Sequence, residues 1–302
     1  ALVAHAERTR DLDACKQAPL LPNGIIYYES GDGSNDEFYR LLQLASTEVS
    51  LPRRKSGDPA FIFFTSGSTG MPKGVTHSYD SLACMFASAA AAFELTSEDV
   101  MLPGSSISQI GGFVFSFAAL ATGVRVVVAR TYHDDEILSL LRQQKPTVLS
   151  MLPAALLHLV RDKGSLSDDF GSLRLCRSGA DKVPEELERE FTRLTGLTID
   201  EGYGMTETGL LASNPPSGLI KMGSVGQPVP GVSASIRDDN RIELGCETTG
   251  RLWVKTCSAT IGYWNNSVAT DELFCDGWLD TGDLMKVDAD GYLYFRGRKK
   301  QI

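Results

Sequence analysis

Ala60-Phe61-Ile62-Phe63-Phe64-Thr65-Ser66-Gly67-Ser68-Thr69-Gly70-Met71-Pro72-Lys73-Gly74-Val75 is the stretch whose reading decides the fold. Its first five residues form a compact apolar run and read as a buried strand. The strand opens into four hydroxyls, three glycines and one lysine. Glycines let backbone N–H groups approach a ligand, hydroxyls add donors, and the lysine adds a mobile positive charge. That combination is a cradle for phosphate oxygens. A flexible Gly/Ser turn is the plainer alternative. The usual P-loop does not fit, because Pro72 stands where its second glycine belongs and Gly74 where its hydroxyl belongs.

The eleven residues Thr65–Val75 resemble the phosphate-binding signature of the adenylate-forming superfamily, which includes acyl-CoA synthetases, peptide-synthetase adenylation domains and beetle luciferases. Four further segments in the same order carry the resemblance across about residues 60–302. Gly202-Tyr203-Gly204-Met205-Thr206-Glu207-Thr208 resembles the second signature, where the threonine meets phosphate, the glutamate helps bind Mg²⁺ and the aromatic ring stacks on adenine. The resemblance places these roles on Thr206, Glu207 and Tyr203. A hydroxyl beside a carboxylate also suits a hard, oxygen-seeking ion on chemical grounds. Ser178-Gly179-Ala180 resembles the segment lining the adenine and acyl pockets, with a plain strand-to-helix loop as the alternative.

Trp278-Leu279-Asp280-Thr281-Gly282-Asp283 resembles the T-G-D motif, and one carboxylate can accept from both vicinal ribose hydroxyls. Asp283 and Arg298 are therefore expected at the ribose, and Lys300 at the hinge toward a small C-terminal domain. Gly223–Pro228 and Gly250–Val254, with Gly262-Tyr263-Trp264, resemble core segments and read as structural glycines and packing aromatics. The likeness breaks near Gln109, Gly111 and Gly112, the expected substrate-pocket segment. Ser108-Gln109 replaces an aromatic–histidine pair that gates the acyl pocket in many acyl-CoA synthetases, and no aspartate is present there to hold an α-amino group.

Outward from the loop, strands are expected at 60–64, 124–129, 148–151 and 173–177, with helices at 79–93, 110–121, 134–143, 153–161 and 184–195. The last is marked by Pro184 in its first turn and by Leu187, Phe191 and Leu194 on one face. Alternation of this kind implies a largely parallel sheet, with the phosphate loop at a strand's carboxyl end. The uncharged stretch Met101–Val124 reads as a buried helix, being too polar and too broken by glycines to span a membrane. After Pro215-Pro216 short strands and turns take over, with strands expected at Val232–Ile236, Arg241–Leu244, Arg251–Lys255 and Tyr292–Phe295. Upstream, Leu2–Ala18 reads as a helix, Ile25–Tyr28 as a strand and Asp36–Ala45 as a helix.

The expected fold is therefore α/β: a largely parallel sheet flanked by helices, then a small antiparallel barrel-like subdomain. The expected divisions are 1–59, a remnant of an N-terminal α/β portion with its linker; 60–215, the nucleotide- and acyl-binding part; 216–297, β-rich; and 298–302, the hinge.

Of 302 residues, 42% are hydrophobic and 22% charged, which describes a globular chain. A net charge of −9 argues against a general nucleic-acid or anionic-membrane surface. Six cysteines without a C-x-x-C pair argue against zinc and a disulfide framework, and favour a reducing cytoplasm. The histidines His5, His77, His133 and His158 do not cluster, and His77 reads as structural or capping.

The resemblance implies a ligase that joins a carboxylic acid, fatty or aryl, to ATP, giving acyl-adenylate and pyrophosphate, and then to coenzyme A as co-substrate. It places Lys73, Thr206 and Glu207 in catalysis. Thr65, Ser66, Gly67, Ser68, Thr69, Gly70 and Lys73 would meet phosphate, Ser178, Gly179, Ala180 and Gly202 to Thr206 would line the nucleotide, and Glu207 would hold Mg²⁺. Three alternatives stand beside it: transfer to an acyl carrier protein, a non-catalytic nucleotide- or acyl-binding module, and a luciferase-like oxygenase. Because the family's C-terminal domain would follow Lys300, the 302-residue chain is expected to bind nucleotide without turnover.

Overall fold

The structure is a computed structural model and describes residues 2–5, 9–13, 25–28, 37–46, 48, 50, 53–65, 71–161 and 164–298. The chain divides into two units, Ala1–Arg54 and Lys55–Ile302. In the first, β1 (Leu2–His5) runs parallel to β2 (Ile25–Tyr28), with α1 (Thr9–Asp13) between them and α2 (Glu37–Leu44) after. The helix expected over Leu2–Ala18 is thus a strand followed by one short helix, residues 14–18 lying outside the described residues. Pairing with the β-branched and aromatic run Ile25-Ile26-Tyr27-Tyr28 overrides local helix preference.

The second unit begins with β3 (Pro59–Thr65), β4 (Lys73–Ser78) and α3 (Tyr79–Ala92). There follow β5 (Val100–Pro103), α4 (Ile110–Ala121), β6 (Arg125–Val126), α5 (Asp134–Gln144), β7 (Val148–Met151) and α6 (Pro153–Arg161). Next come β8 (Leu175–Gly179), α7 (Glu185–Thr195), β9 (Ile199–Met205), β10 (Gly209–Ser213) and β11 (Gln227–Pro228). The last part holds β12 (Val232–Arg237), β13 (Gly250–Thr256), β14 (Gly262–Tyr263), α8 (Ser267–Leu273), β15 (Phe274–Cys275), β16 (Trp278–Val287) and β17 (Leu293–Arg298).

Local chemistry explains the helix ends. Ser78 caps α3 by accepting from the Ser81 amide while the Ser81 hydroxyl accepts from the Ser78 amide. Asp134, Asp135 and Glu136 place negative charge at the start of α5. Gly196, at φ 77°, ends α7 in the left-handed region. Leu187 and Phe191 are buried on the face of α7 marked by its periodicity.

Seven strands form one sheet in the order β11-β10-β9-β8-β7-β5-β6, parallel from β6 to β9 and antiparallel at β10 and β11. One face packs under α5, α6 and α7 through Leu141, Leu149, Leu156, Cys176, Leu187 and Phe191. The other carries α3 and α4 through Phe93, Phe113, Val114 and Leu175. A separate antiparallel sheet has β16 at its centre, paired to β13, β15 and β17, with β12 on β13. Its core of Leu252, Val254, Leu279, Met285 and Leu293 reaches Leu211 and Val225 of the neighbouring part. The α/β architecture with a mostly parallel sheet and a following antiparallel sheet is as expected.

Three local expectations are corrected, and one strand was not foreseen. The 60–64 strand is not in the parallel sheet: β3 and β4 are an antiparallel hairpin, joined by β14 in a three-stranded sheet of their own. Only seven residues, 66–72, lie between these antiparallel partners, so the phosphate-loop segment connects the hairpin and does not follow a parallel strand. Met101–Val124 is not one helix, because Val100–Pro103 pairs with β7 and only α4 is helical. Arg241–Leu244 is no strand; an isolated bridge, Arg237 to Glu243, is all the pairing it makes. Trp278–Val287 is the longest strand of its sheet, though its polar T-G-D centre hid the alternation. Among the described residues no helix is long and apolar enough to cross a membrane.

Candidate functional site

A cavity of about 480 Å³ opens where β8 and β9 end, against α4 and the end of β3. Thr65, Gln109 and Gly111 line it, as do Ser178, Gly179 and Ala180. Gly202, Tyr203, Gly204, Met205 and Thr206 complete that side. The parallel order of β8 and β9 sets Gly179 beside Gly202, while the β3 hairpin and α4 bring Thr65, Gln109 and Gly111 to the same hollow. Ser66, Gly67, Ser68, Thr69, Gly70 and Lys300 lie outside the described residues.

Close backbone approach accounts for several glycines here. A Cβ on Gly179 would stand 2.5 Å from the Gly202 carbonyl oxygen, and one on Gly204 would stand 2.3 Å from that of Gly209. Gly112 is different from Gly111: its Cβ would meet the Ser106 carbonyl oxygen at 2.4 Å, so it packs the start of α4 and is not among the lining residues. The Ser178 hydroxyl donates to the Met151 carbonyl at 2.8 Å and ties β8 to β7.

Two polar clusters flank the hollow. In the first, Asp283 is buried between two partners. The phenol of Tyr203 donates to Oδ2 at 2.7 Å, and Nε of Arg298 donates to Oδ1 at 2.8 Å. Register makes the second bond, since Asp283 and Arg298 are cross-strand partners on β16 and β17. Burial, then the adjacent Asp283 charge, raises the Tyr203 phenol well above its ordinary value. The hydrogen bond to Asp283 raises Arg298, whose side chain is otherwise largely exposed.

The second cluster joins Glu207, Tyr263 and Lys73. Tyr263 donates its phenolic hydrogen to Oε1 of Glu207 at 2.7 Å, and the Lys73 ammonium lies 4.9 Å from the centre of the Tyr263 ring. Lys73 is the cross-strand partner of Thr65, and β14 places Tyr263 opposite Val75. The Glu207 carbonyl accepts from the Thr260 amide at 2.7 Å. Burial, then the Glu207 charge, raises the Tyr263 phenol. Sequence reading took Tyr263 for a packing aromatic; its only local signal was the Gly262-Tyr263-Trp264 segment.

His77 has the structural part expected of it. Fully buried, it holds the Thr206 carbonyl through Nε2 at 2.8 Å, and Nδ1 lies 3.3 Å from the Ser81 hydroxyl. Burial lowers it below the ordinary histidine range, although the Thr206 bond opposes the shift.

Sequence reading missed Arg177 and Asp200 altogether. They form a buried ion pair, Nη2 to Oδ2 at 2.6 Å, on adjacent positions of β8 and β9, and Arg177 lines the cavity. An arginine inside a strand pattern gives no local sign of its partner.

The fold and this hollow define a class. Residues 1–264 match the AMP-binding enzyme family, and the chain belongs to it. It is 32% identical to the indoleacetate–CoA ligase of Aromatoleum aromaticum over 285 residues, covering 93% of this chain and 54% of that protein. With the fatty acid–[acyl-carrier-protein] ligase ScoC of Streptomyces coeruleorubidus it shares 30% over 251 residues, 80% of this chain and 48% of that one. The crystal structure of ATP-bound MatB from Rhodopseudomonas palustris superposes with a TM-score of 0.88 at 29% identity, covering 98% of this chain and 58% of that one. The chain thus spans about half the length of the curated relatives it matches.

Proposed function

We propose that the protein activates a carboxylic acid with ATP, forming an acyl-adenylate and pyrophosphate, and that the intact protein passes the acyl group to the thiol of coenzyme A. The observation that carries this reading is the meeting of Thr65, Ser178–Ala180 and Gly202–Thr206 around one hollow, with Asp283 on one flank and Glu207 on the other. The relatives support it through their names, one a CoA ligase and one a carrier-protein ligase.

In this reading Asp283 and Arg298 take the ribose hydroxyls, and Tyr203 presents its ring to the base. Lys73 and the hydroxyls of residues 65–69 take the phosphates, offsetting negative charge as the carboxylate attacks the α-phosphorus. A divalent ion fits the donors present. Oε1 of Glu207 is occupied by Tyr263, and among the described residues nothing hydrogen-bonds Oε2 or the Thr206 hydroxyl. Both are hard oxygen donors. Glu207 and Thr206 would hold Mg²⁺, which supplies charge neutralisation to the triphosphate. Gln109 and Gly111 border the acyl group. The divisions at 60–215 and 216–297, and Lys300 as hinge, belong to the same proposal.

Isotope exchange between pyrophosphate and ATP, measured with the intact protein across a panel of carboxylic acids, tests it. Acid-dependent exchange is expected, and its absence with every acid would leave only a binding module. Product analysis with coenzyme A and with a carrier protein then separates the two acceptors.

A further inference from the structure

We propose that the acid taken by this cavity carries an uncharged hydrogen-bonding oxygen at its far end, and that Arg177 reads it; this rests on the reading of the cavity as the acid's site. Arg177 precedes Ser178 on β8, so it lies deeper along the strand than the residues at the strand's open end. Its guanidinium stacks on the Phe93 ring at 3.9 Å, on the α3 side of the sheet. Only 2% of the residue is exposed, yet it lines the cavity together with Val114 and Phe115 of α4 and Leu210 of β10.

The donors of this guanidinium are unequally used. Nη2 gathers every contact: the Asp200 carboxylate, the Ser213 hydroxyl, and the carbonyls of Ala92 at 3.3 Å and Asn214 at 3.4 Å. Among the described residues Nε and Nη1 are buried and have no hydrogen-bond partner, and the same holds for Oδ2 of Asp200, whose contact with Nη2 is an ion pair. Nη1 lies next to Gly202, a residue that lines the cavity. A Cβ built on Gly202 would come 3.6 Å from it, so the glycine leaves the space beside Nη1 free of a side chain. Buried N–H groups are costly to leave unmet, and in folded proteins they are nearly always paired. An acceptor oxygen delivered by the ligand meets this one.

Charge decides which oxygen. Asp200 already balances Arg177, so a second carboxylate would give up its hydration against a pair with no net charge. A hydroxyl or carbonyl oxygen gives up far less. Val114, Phe115 and Met151 also line the cavity and suit methylenes. The substrate class is thus a chain acid with a distal hydroxyl or carbonyl group. A plain acid of the same length would leave Nη1 unpaired, which is the kind of mismatch a polar site rejects most strongly.

Titration calorimetry of the protein with hexanoic, octanoic and decanoic acids, their terminal-hydroxyl analogues and the matching dicarboxylates tests this. At one chain length the hydroxy acid is expected to bind at least about tenfold tighter than the plain acid. Equal binding at every length, or tighter binding of the dicarboxylate, would overturn the proposal. Two variants read the residue itself. In the paired replacement Arg177→Met with Asp200→Leu the preference should vanish; its survival would overturn the proposal. In Asp200→Asn, which keeps the shape and leaves Arg177 uncompensated, the dicarboxylate should gain at least about tenfold over its binding to the unaltered protein. No gain there would count equally against it. These are binding measurements, so a protein that binds acid without adenylating it still gives an answer. Absence of pyrophosphate exchange strikes only the proposed function.

Discussion

Tyr263 donates to Oε1 of Glu207 at 2.7 Å, joining a strand late in the chain to the turn after β9. The carboxylate is fixed on one oxygen, and the same ring sits beneath the Lys73 ammonium. If Glu207 helps hold the metal, Glu207→Gln should lower acid-dependent exchange on the order of 10²-fold, equivalent to a few kcal/mol. Tyr263→Phe should lower it about tenfold, the scale of one hydrogen bond to a charged group. Raising the Mg²⁺ concentration should recover part of the Tyr263→Phe loss. Unchanged exchange in Glu207→Gln, with the melting temperature held, would remove that carboxylate from the site.

Asp283 is the meeting point of Tyr203 and Arg298. Asp283→Ala should weaken ATP and AMP together, by about tenfold or more, while leaving pyrophosphate binding nearly unchanged. Titration of the three ligands checks it. Equal loss for all three would indicate a disturbed fold, since the variant also leaves the buried Tyr203 phenol without its acceptor.

His77 makes stability depend on pH. Its folded value lies below the ordinary 6.5, so as pH falls the unfolded chain takes up a proton first. The contribution is complete above 6.5 and is lost as pH drops toward the folded value. Glu201, pushed up to about 7 by burial and then by Glu188, acts in the opposite sense: its contribution is complete at low pH and is lost as pH rises through 7. The two overlap, so the informative quantity is a difference. Between about pH 7 and pH 5.5 the melting temperature of His77→Gln should fall less than that of the unaltered protein. Parallel curves would show that His77 does not titrate in this window.

Among the described glycines Gly226 leaves the least room for a side chain. Its φ is 85°, and a Cβ would stand 1.9 Å from the Ser213 carbonyl carbon. Gly226→Ala should destabilise by about 4 kcal/mol or more, because backbone strain and overlap add. Denaturant unfolding measures it. A loss under about 1 kcal/mol would mean that β10 and β11 separate readily.

Amino-acid order alone determined most of the repeating strand and helix of the parallel sheet, but not β5, which was read into the helix over Met101–Val124. That sheet's strands are compact apolar runs and its helices show one-sided periodicity, both of which are local signals. The segments proposed to carry chemistry were singled out by their resemblance to family motifs, since Glu207 and Asp283 by themselves read equally as turn carboxylates, whereas the structure buries both. Tertiary structure decided what pairs with what. The loop strand Ala60–Phe64 looks like any buried strand, and only its partner, β4, made it a hairpin outside the main sheet. Tyr263 looked like packing until β14 carried it to Glu207, 56 residues away. Arg177 gave no signal in sequence, because a charge buried in a strand is stabilised by a neighbour on the next strand. That neighbour, Asp200, is 23 residues further along the chain, and the distance between them is set by the fold of β8 against β9.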